Sequence, residues 1–186
     1  MTKILLIGDT HIPSRASRIP PKIESHIISE KYSLILCTGD LVIKDVLLLF
    51  NHIGEVKVVK GNMDYLPLPE IEVISLGNIK IGLIHGHQVY PRGDIAKLAN
   101  IAAKLKVNVL VSGHTHVPSV KKVTIPSREI LLLNPGSATG VWSGGGGSLI
   151  PSFMELSLIG SLIRITHYEL KVDTLTKSHY EFMLTP

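Results

Sequence analysis

The chain has 186 residues, 45% of them hydrophobic, and a formal charge of +4 with its nine histidines counted neutral. These figures suit one folded domain with a substantial core and exclude an intrinsically disordered chain. The positive charge is dispersed, without the Lys/Arg run of a nucleic-acid-binding arm, so no nucleic-acid binding is predicted; a small phosphate-bearing substrate suits the balance.

The first extended stretch, KILLIG at 3–8, leads into Asp9, Thr10 and His11. Its apolar run is too short for a signal peptide or a membrane span, which needs roughly 20 apolar residues. Cys37, the single cysteine, has no internal disulfide partner and reads as a small buried hydrophobe. Together these features predict a cytoplasmic protein without a membrane span.

PPKIESHIISEK at 20–31 reads as a helix, with its prolines suited to the first turn. SLILCT at 33–38 is the next strand and runs into Gly39 and Asp40. IKDVLLLFNHI at 43–53 is helical, and EVKVVK at 55–60 is extended and precedes Gly61, Asn62, Met63 and Asp64. IEVISL at 71–76 and KIGLIH at 80–85 flank Gly77-Asn78, a hairpin signal. The second of them ends at His85, Gly86 and His87. GDIAKLANIAAKLK at 93–106 places apolar residues at 95, 98, 99, 101, 102 and 105 on one helical face. VNVLVS at 107–112 then leads into Gly113, His114, Thr115 and His116.

Further strands are predicted at 120–125, 129–134, 152–158 and 161–170. SGGGGS at 143–148 has the composition of a flexible linker and reads as a mobile surface loop. Trp142 beside it is a candidate lid aromatic, with packing preferred, and Asn134 before Pro135 is a candidate tie on the rim, with a turn preferred. His26, His52, His167 and His179 are given no special role. Strand and helix alternate in the first half, which argues for parallel βαβ units; the second half is richer in strands. The expected fold is an α/β sandwich with helices outside packed sheets, in a single domain over 1–186.

Five of the early strands end in Asp, Asn or His, usually beside a glycine. Ligands of α/β sheets bind outside the carboxyl ends of the strands, so these segments should meet at one rim. Carboxylate, amide and imidazole donors together suit Mn, Fe or Zn. The set is too large for one tetrahedral zinc and fits two metals that share a carboxylate. Asp9 and His11 point to one side if the backbone stays extended, as do His114 and His116.

The ordered set GDTH, GD, GNMD, HGH and GHTH resembles the calcineurin-like metallophosphoesterases over residues 4–116. The resemblance implies a four-layer αββα sandwich and two divalent metal ions. One ion would take Asp9, His11, Asp40 and His116. The other would take Asp40, Asn62, His85 and His114, with Asp40 bridging and also serving catalysis. His87 is a further catalytic candidate, beside the metals or against substrate. The implied activity is phosphoester hydrolysis, most of all of phosphodiesters, by a metal-activated hydroxide.

LILCTGDL, KIGLIHGHQVYPRGD, SGHTH, NPGSATG and IPSF extend the resemblance to the small phosphodiesterase subfamily that includes the retromer vacuolar protein sorting subunit. That subunit is a scaffold with an altered metal site, so the alternative is a retromer-like adaptor with a helical-repeat protein partner. Asp40 and Asn62 follow the pattern of the enzymes. Of the adaptor's apolar patch, Val89, Tyr90 and Tyr168 fit, while Glu155 falls where an apolar residue is expected. Met63 stands where many family phosphatases have a histidine that assists the leaving group, so weaker catalysis is expected with poor leaving groups.

Overall fold

The computed structural model describes residues 2–126 and 128–183. In chain order the elements are β1 (Thr2–Ile7), α1 (Pro21–Ser29), β2 (Leu34–Cys37), α2 (Lys44–Ile53), β3 (Val56–Val58), β4 (Ile71–Leu76), β5 (Ile79–Ile84), α3 (Ile95–Leu105) and β6 (Val109–Val111). Then come β7 (Ser119–Ile125), β8 (Arg128–Asn134), β9 (Ser152–Ile159), β10 (Leu162–Lys171) and β11 (Thr174–Met183). One sheet has the order β11-β10-β9-β1-β2-β3 and the other β4-β5-β6-β8-β7. β1, β2 and β3 run parallel, as do β5, β6 and β8. β4, β7, β9, β10 and β11 join antiparallel.

Side-chain alternation along each strand creates the layers. On β1, Ile4 and Leu6 face the second sheet, where they meet Ile81, Leu83, Val109, Val111, Leu131 and Leu133. Leu5 and Ile7 face the other way and pack with Ile35 and Cys37 under Ile23 and Ile27 of α1 and Val46 and Phe50 of α2. On the far side, Leu98, Ala99 and Ala102 of α3 cover Ile84, Leu110, Ile130 and Leu132. The result is the four-layer αββα sandwich that the motifs imply. Near-continuous apolar sequence in β1, β2 and β6 follows from burial on both faces.

The three helices lie where their periodicity places them. α1 opens on Pro21, α2 closes with the Gly54 N–H on the Phe50 carbonyl, and the Asp94 side chain caps α3 through Lys97 N–H. No helix among the described residues is long and apolar enough to cross a membrane. β11 is the element that the apolar pattern missed. It is an edge strand, mostly exposed, and its Leu175 and Phe182 are its partly buried contributions to the cores.

Candidate metal centre

The carboxyl ends of the parallel strands in both sheets open onto one rim. Asp9 and His11 follow β1, Asp40 follows β2, Asn62 follows β3, His85 follows β5, and His114 and His116 follow β6. One ligand atom each from Asp9, His11, Asp40 and His116 lie within 4.8 Å of one another, and so do one each from Asp40, His85 and His114. Asp40 belongs to both groups. Its Oδ2 sits 3.3 Å from His11 Nε2 and 3.4 Å from His85 Nε2, while Oδ1 accepts a hydrogen bond from Met63 N–H at 2.8 Å. Asn62, at the exposed edge, brings Oδ1 to 3.2 Å from His85 Nε2.

The backbone at these positions is not extended. Asp9, His11, Asp40, His114 and His116 all have φ between 48° and 68°, the left-handed region that non-glycine residues avoid. The alternation of an extended chain therefore does not explain why these side chains converge. Consecutive tight turns turn them inward instead, at a cost of about 1 kcal/mol or more for each such residue. Glycines make room beside them. A Cβ on Gly113 would lie 2.3 Å from Asp9 Oδ2, and one on Gly61 would lie 2.1 Å from Asp40 Oδ1.

The hydrogen-bond pattern suits cation binding. His85 Nδ1 faces the Thr38 carbonyl at 2.7 Å and His116 Nδ1 faces the Val141 carbonyl at 2.7 Å. A carbonyl only accepts, so both Nδ1 atoms carry hydrogen and Nε2 is left to serve as ligand. His11 Nε2 and His116 Nε2 lie 3.1 Å apart, and His85 Nε2 and His114 Nδ1 lie 3.2 Å apart. In the cation-free protein each contact can be an N–H···N hydrogen bond; once the facing nitrogens are deprotonated, lone pairs this close inside the protein are matched to a cation. The residues fit the metals that their chemistry suggests. His114 Nε2 accepts from Arg92 Nε at 2.9 Å. A neutral imidazole has one N–H, so His114 can offer Nδ1 to a cation only after Arg92 releases Nε2.

Protonation follows the same geometry. Burial raises the Asp40 carboxyl pKa, but the His85 hydrogen bond and charge, with Met63 N–H, outweigh it and hold Asp40 at about 2. Burial lowers the pKa of His85, yet Asp40 and Asp9 lift it to about 9, so a cation must displace a proton from His85 Nε2 before that nitrogen can serve as a ligand. Burial dominates at His11 and His114 and depresses each to about 4. His87 is also lowered, by burial and by the charge of His85. Its ring lies 5.4 Å from that of His85 and 6.3 Å from that of His114, so it flanks the centre and lies outside both groups.

Several residues beyond the predicted set hold the rim. Asp64 accepts from the N–H groups of Asp40, Leu41, Val42 and Gly61 at 2.8–2.9 Å, locking the Asp40 turn to the Asn62 turn. Its place in GNMD was the available signal. Thr38 Oγ1 donates to Asp9 Oδ2, and Ser137 Oγ to the Asp9 carbonyl. Asn134 forms its expected turn through Gly136 N–H and also ties down Gly113 and Thr115. The 143–148 segment differs from a loose linker. Ser143 is buried, its N–H reaches the Gly146 carbonyl, and Ser148 N–H reaches the His116 carbonyl. Trp142 is 59% exposed at the rim, so packing does not account for it.

The residues aligned with an apolar docking patch behave differently from that expectation. Tyr90 is exposed, but Val89 and Tyr168 are buried. Glu155 is buried too and accepts from Tyr32 and Tyr168 hydroxyls, with His26 Nε2 and Lys3 Nζ alongside.

Fold and donor set together define an α/β sandwich protein with a carboxylate–imidazole centre at the strand ends. The chain belongs to the calcineurin-like phosphoesterase superfamily, whose domain matches residues 2–152. It is 44% identical over 134 residues to the "Probable metallophosphoesterase" of Methanocaldococcus jannaschii, covering 72% of this chain and 67% of that protein. Wild-type Vps29 of Entamoeba histolytica, solved in complex with zinc, is 38% identical with a TM-score of 0.89, over 97% of this chain and 99% of that one. A "predicted phosphoesterase" of Streptococcus pneumoniae is 26% identical with a TM-score of 0.72, over 98% and 97%.

Proposed function

We propose that the chain is a divalent-metal-dependent phosphodiesterase of the cytoplasm, working as one domain over 1–186 on a phosphate-ester substrate. The observation that carries the reading is the placement of Asp40 Oδ2 between His11 Nε2 and His85 Nε2. Asp9, His11, Asp40 and His116 would hold one cation, and Asp40, Asn62, His85 and His114 the other. Manganese, iron and zinc all suit these donors. Cations held there would supply Lewis acidity toward water and toward the phosphoryl oxygens.

The chain's own residues orient and limit the chemistry. The Thr38 and Val141 carbonyls fix the rings of His85 and His116. His87, kept neutral near pH 7 by its lowered pKa, is suited to accept a hydrogen bond from the attacking water. Met63 has no proton for a leaving group, so good leaving groups should be preferred.

A second reading, a retromer-like scaffold with a helical-repeat partner and a structural metal site, is favoured by the full-length similarity to Vps29. Hydrolysis of a nitrophenyl phosphodiester by metal-stripped protein, titrated with manganese, separates the two. Saturable, manganese-dependent turnover that Asp40→Ala abolishes supports the enzyme. Absence of turnover in the manganese-loaded wild type supports the scaffold.

A further inference from the structure

Three consecutive carbonyls at the rim face three side chains. The Val141 carbonyl accepts from His116 Nδ1, that of Trp142 from Arg15 at 2.7 Å, and that of Ser143 from Arg92 at 3.1 Å. Arg15 and Arg92 are therefore brought to the same edge of the centre from segments far apart in sequence. Arg15 follows His11, whose carbonyl its own N–H reaches at 2.8 Å. Arg92 touches His114 directly. Both arginines are exposed, and neither has a carboxylate partner within salt-bridge distance among the described residues.

Arg15 is tied to His11 of one group through its backbone N–H, and Arg92 to His114 of the other through its side chain, while both guanidinium groups reach the 141–143 segment. Arg15 commits one N–H to the loop. Arg92 commits three N–H groups in all, to His114, Ser143 Oγ and the Ser143 carbonyl. A guanidinium has five N–H donors in about one plane, so both keep donors for a ligand. Elsewhere at the centre, Glu70 lies 3.9 Å from His87 Nε2.

We propose that Arg15 and Arg92 form a clamp for a second anionic group of the substrate, outside the phosphoryl group at the centre. The inference rests on the phosphoesterase reading and narrows its substrate class to phosphate esters that carry a further phosphate or carboxylate. Arginine pairs suit such groups because their planar donors match two oxygens at once. Neither arginine is assigned a cation, although Arg92 contacts the ligand His114 and must release it when that site fills; Arg15, which touches no assigned ligand side chain through its guanidinium, gives the cleaner reading of which ester is chosen.

The test is a calorimetric titration of manganese-loaded protein with a sugar bisphosphate and with the corresponding monophosphate. The wild type should bind the bisphosphate about tenfold more tightly, the effect of one charge-assisted contact pair. Arg15→Gln and Arg92→Gln should each bring the two affinities together. Lys121→Gln, an exposed change on β7, should leave the preference in place and so excludes a general effect of net charge. Equal affinities in the wild type, or a preference that survives both arginine substitutions, would overturn the clamp. The hydrolysis assay is read separately. Turnover without the preference removes the clamp alone, whereas the preference without turnover keeps the clamp and removes the hydrolytic reading.

Discussion

At the residue scale, Asp64 is the hinge of the account, although it is assigned no cation. One buried carboxylate takes four backbone N–H groups from two turns. Removing it leaves those donors unpaired, so Asp64→Ala should destabilise the fold by about 2–3 kcal/mol and weaken manganese binding. Denaturant unfolding and a manganese titration of the variant check both. A change below about 0.5 kcal/mol would show that water replaces the carboxylate freely. The residue types of the centre were legible because carboxylate, amide and imidazole beside glycine recur at strand ends. Its local geometry was not legible. Left-handed φ at Asp9, His11, Asp40, His114 and His116 has only a weak signature in residue type, since Asp and His enter that region more often than other side chains but still rarely. Arg15, Arg92 and Asp64 were equally hard to assign, because their partners are brought close only by folding.

At the scale of elements, the long apolar strands and the amphipathic helices could be read directly, since burial on one or both faces leaves a periodic record. β11 left no such record. Its turn, Val172-Asp173 between Lys171 and Thr174, lacks the Asn-Gly or Asp-Gly pair that signals a hairpin, although Val172 has φ 56°. The 143–148 segment shows the opposite: its glycines suggest freedom, but its internal Ser143–Gly146 bond, the bond from Ser148 to the His116 carbonyl and the Arg92 contacts hold it.

Glu155 joins β9 to α1, β1 and β10, and its pH dependence can be worked out. Burial raises its pKa, but hydrogen bonds from Tyr32, His26, Lys3 and Tyr168 leave it below the ordinary value of 4.5. A lowered carboxyl pKa stabilises the fold above the unfolded value, and that contribution is lost as pH falls through the folded one. Stability of the wild type should therefore drop as pH falls below about 4.5, and Glu155→Gln should flatten that drop while lowering stability near pH 7. Thermal unfolding across this range decides it; parallel curves for the two proteins would refute the network's role.

At the scale of the whole molecule, two sheets aim their parallel strands at one rim, and helices seal their outer faces. That arrangement lets segments distant in sequence share Asp40 while each is held by its own sheet. The same architecture is found in Vps29 and in phosphoesterases, so the fold by itself does not choose between scaffold and enzyme. Zinc-bound Vps29 shows that a bound cation does not separate the two either; what the phosphoesterase reading requires first is that Asp40 joins two cation sites. Calorimetric titration of metal-stripped protein with manganese tests that claim most directly. Two ions should bind per chain in the wild type, with one lost in His114→Ala and both weakened in Asp40→Ala. A single ion or none in the wild type, or two ions still tightly bound without the Asp40 carboxylate, would contradict it.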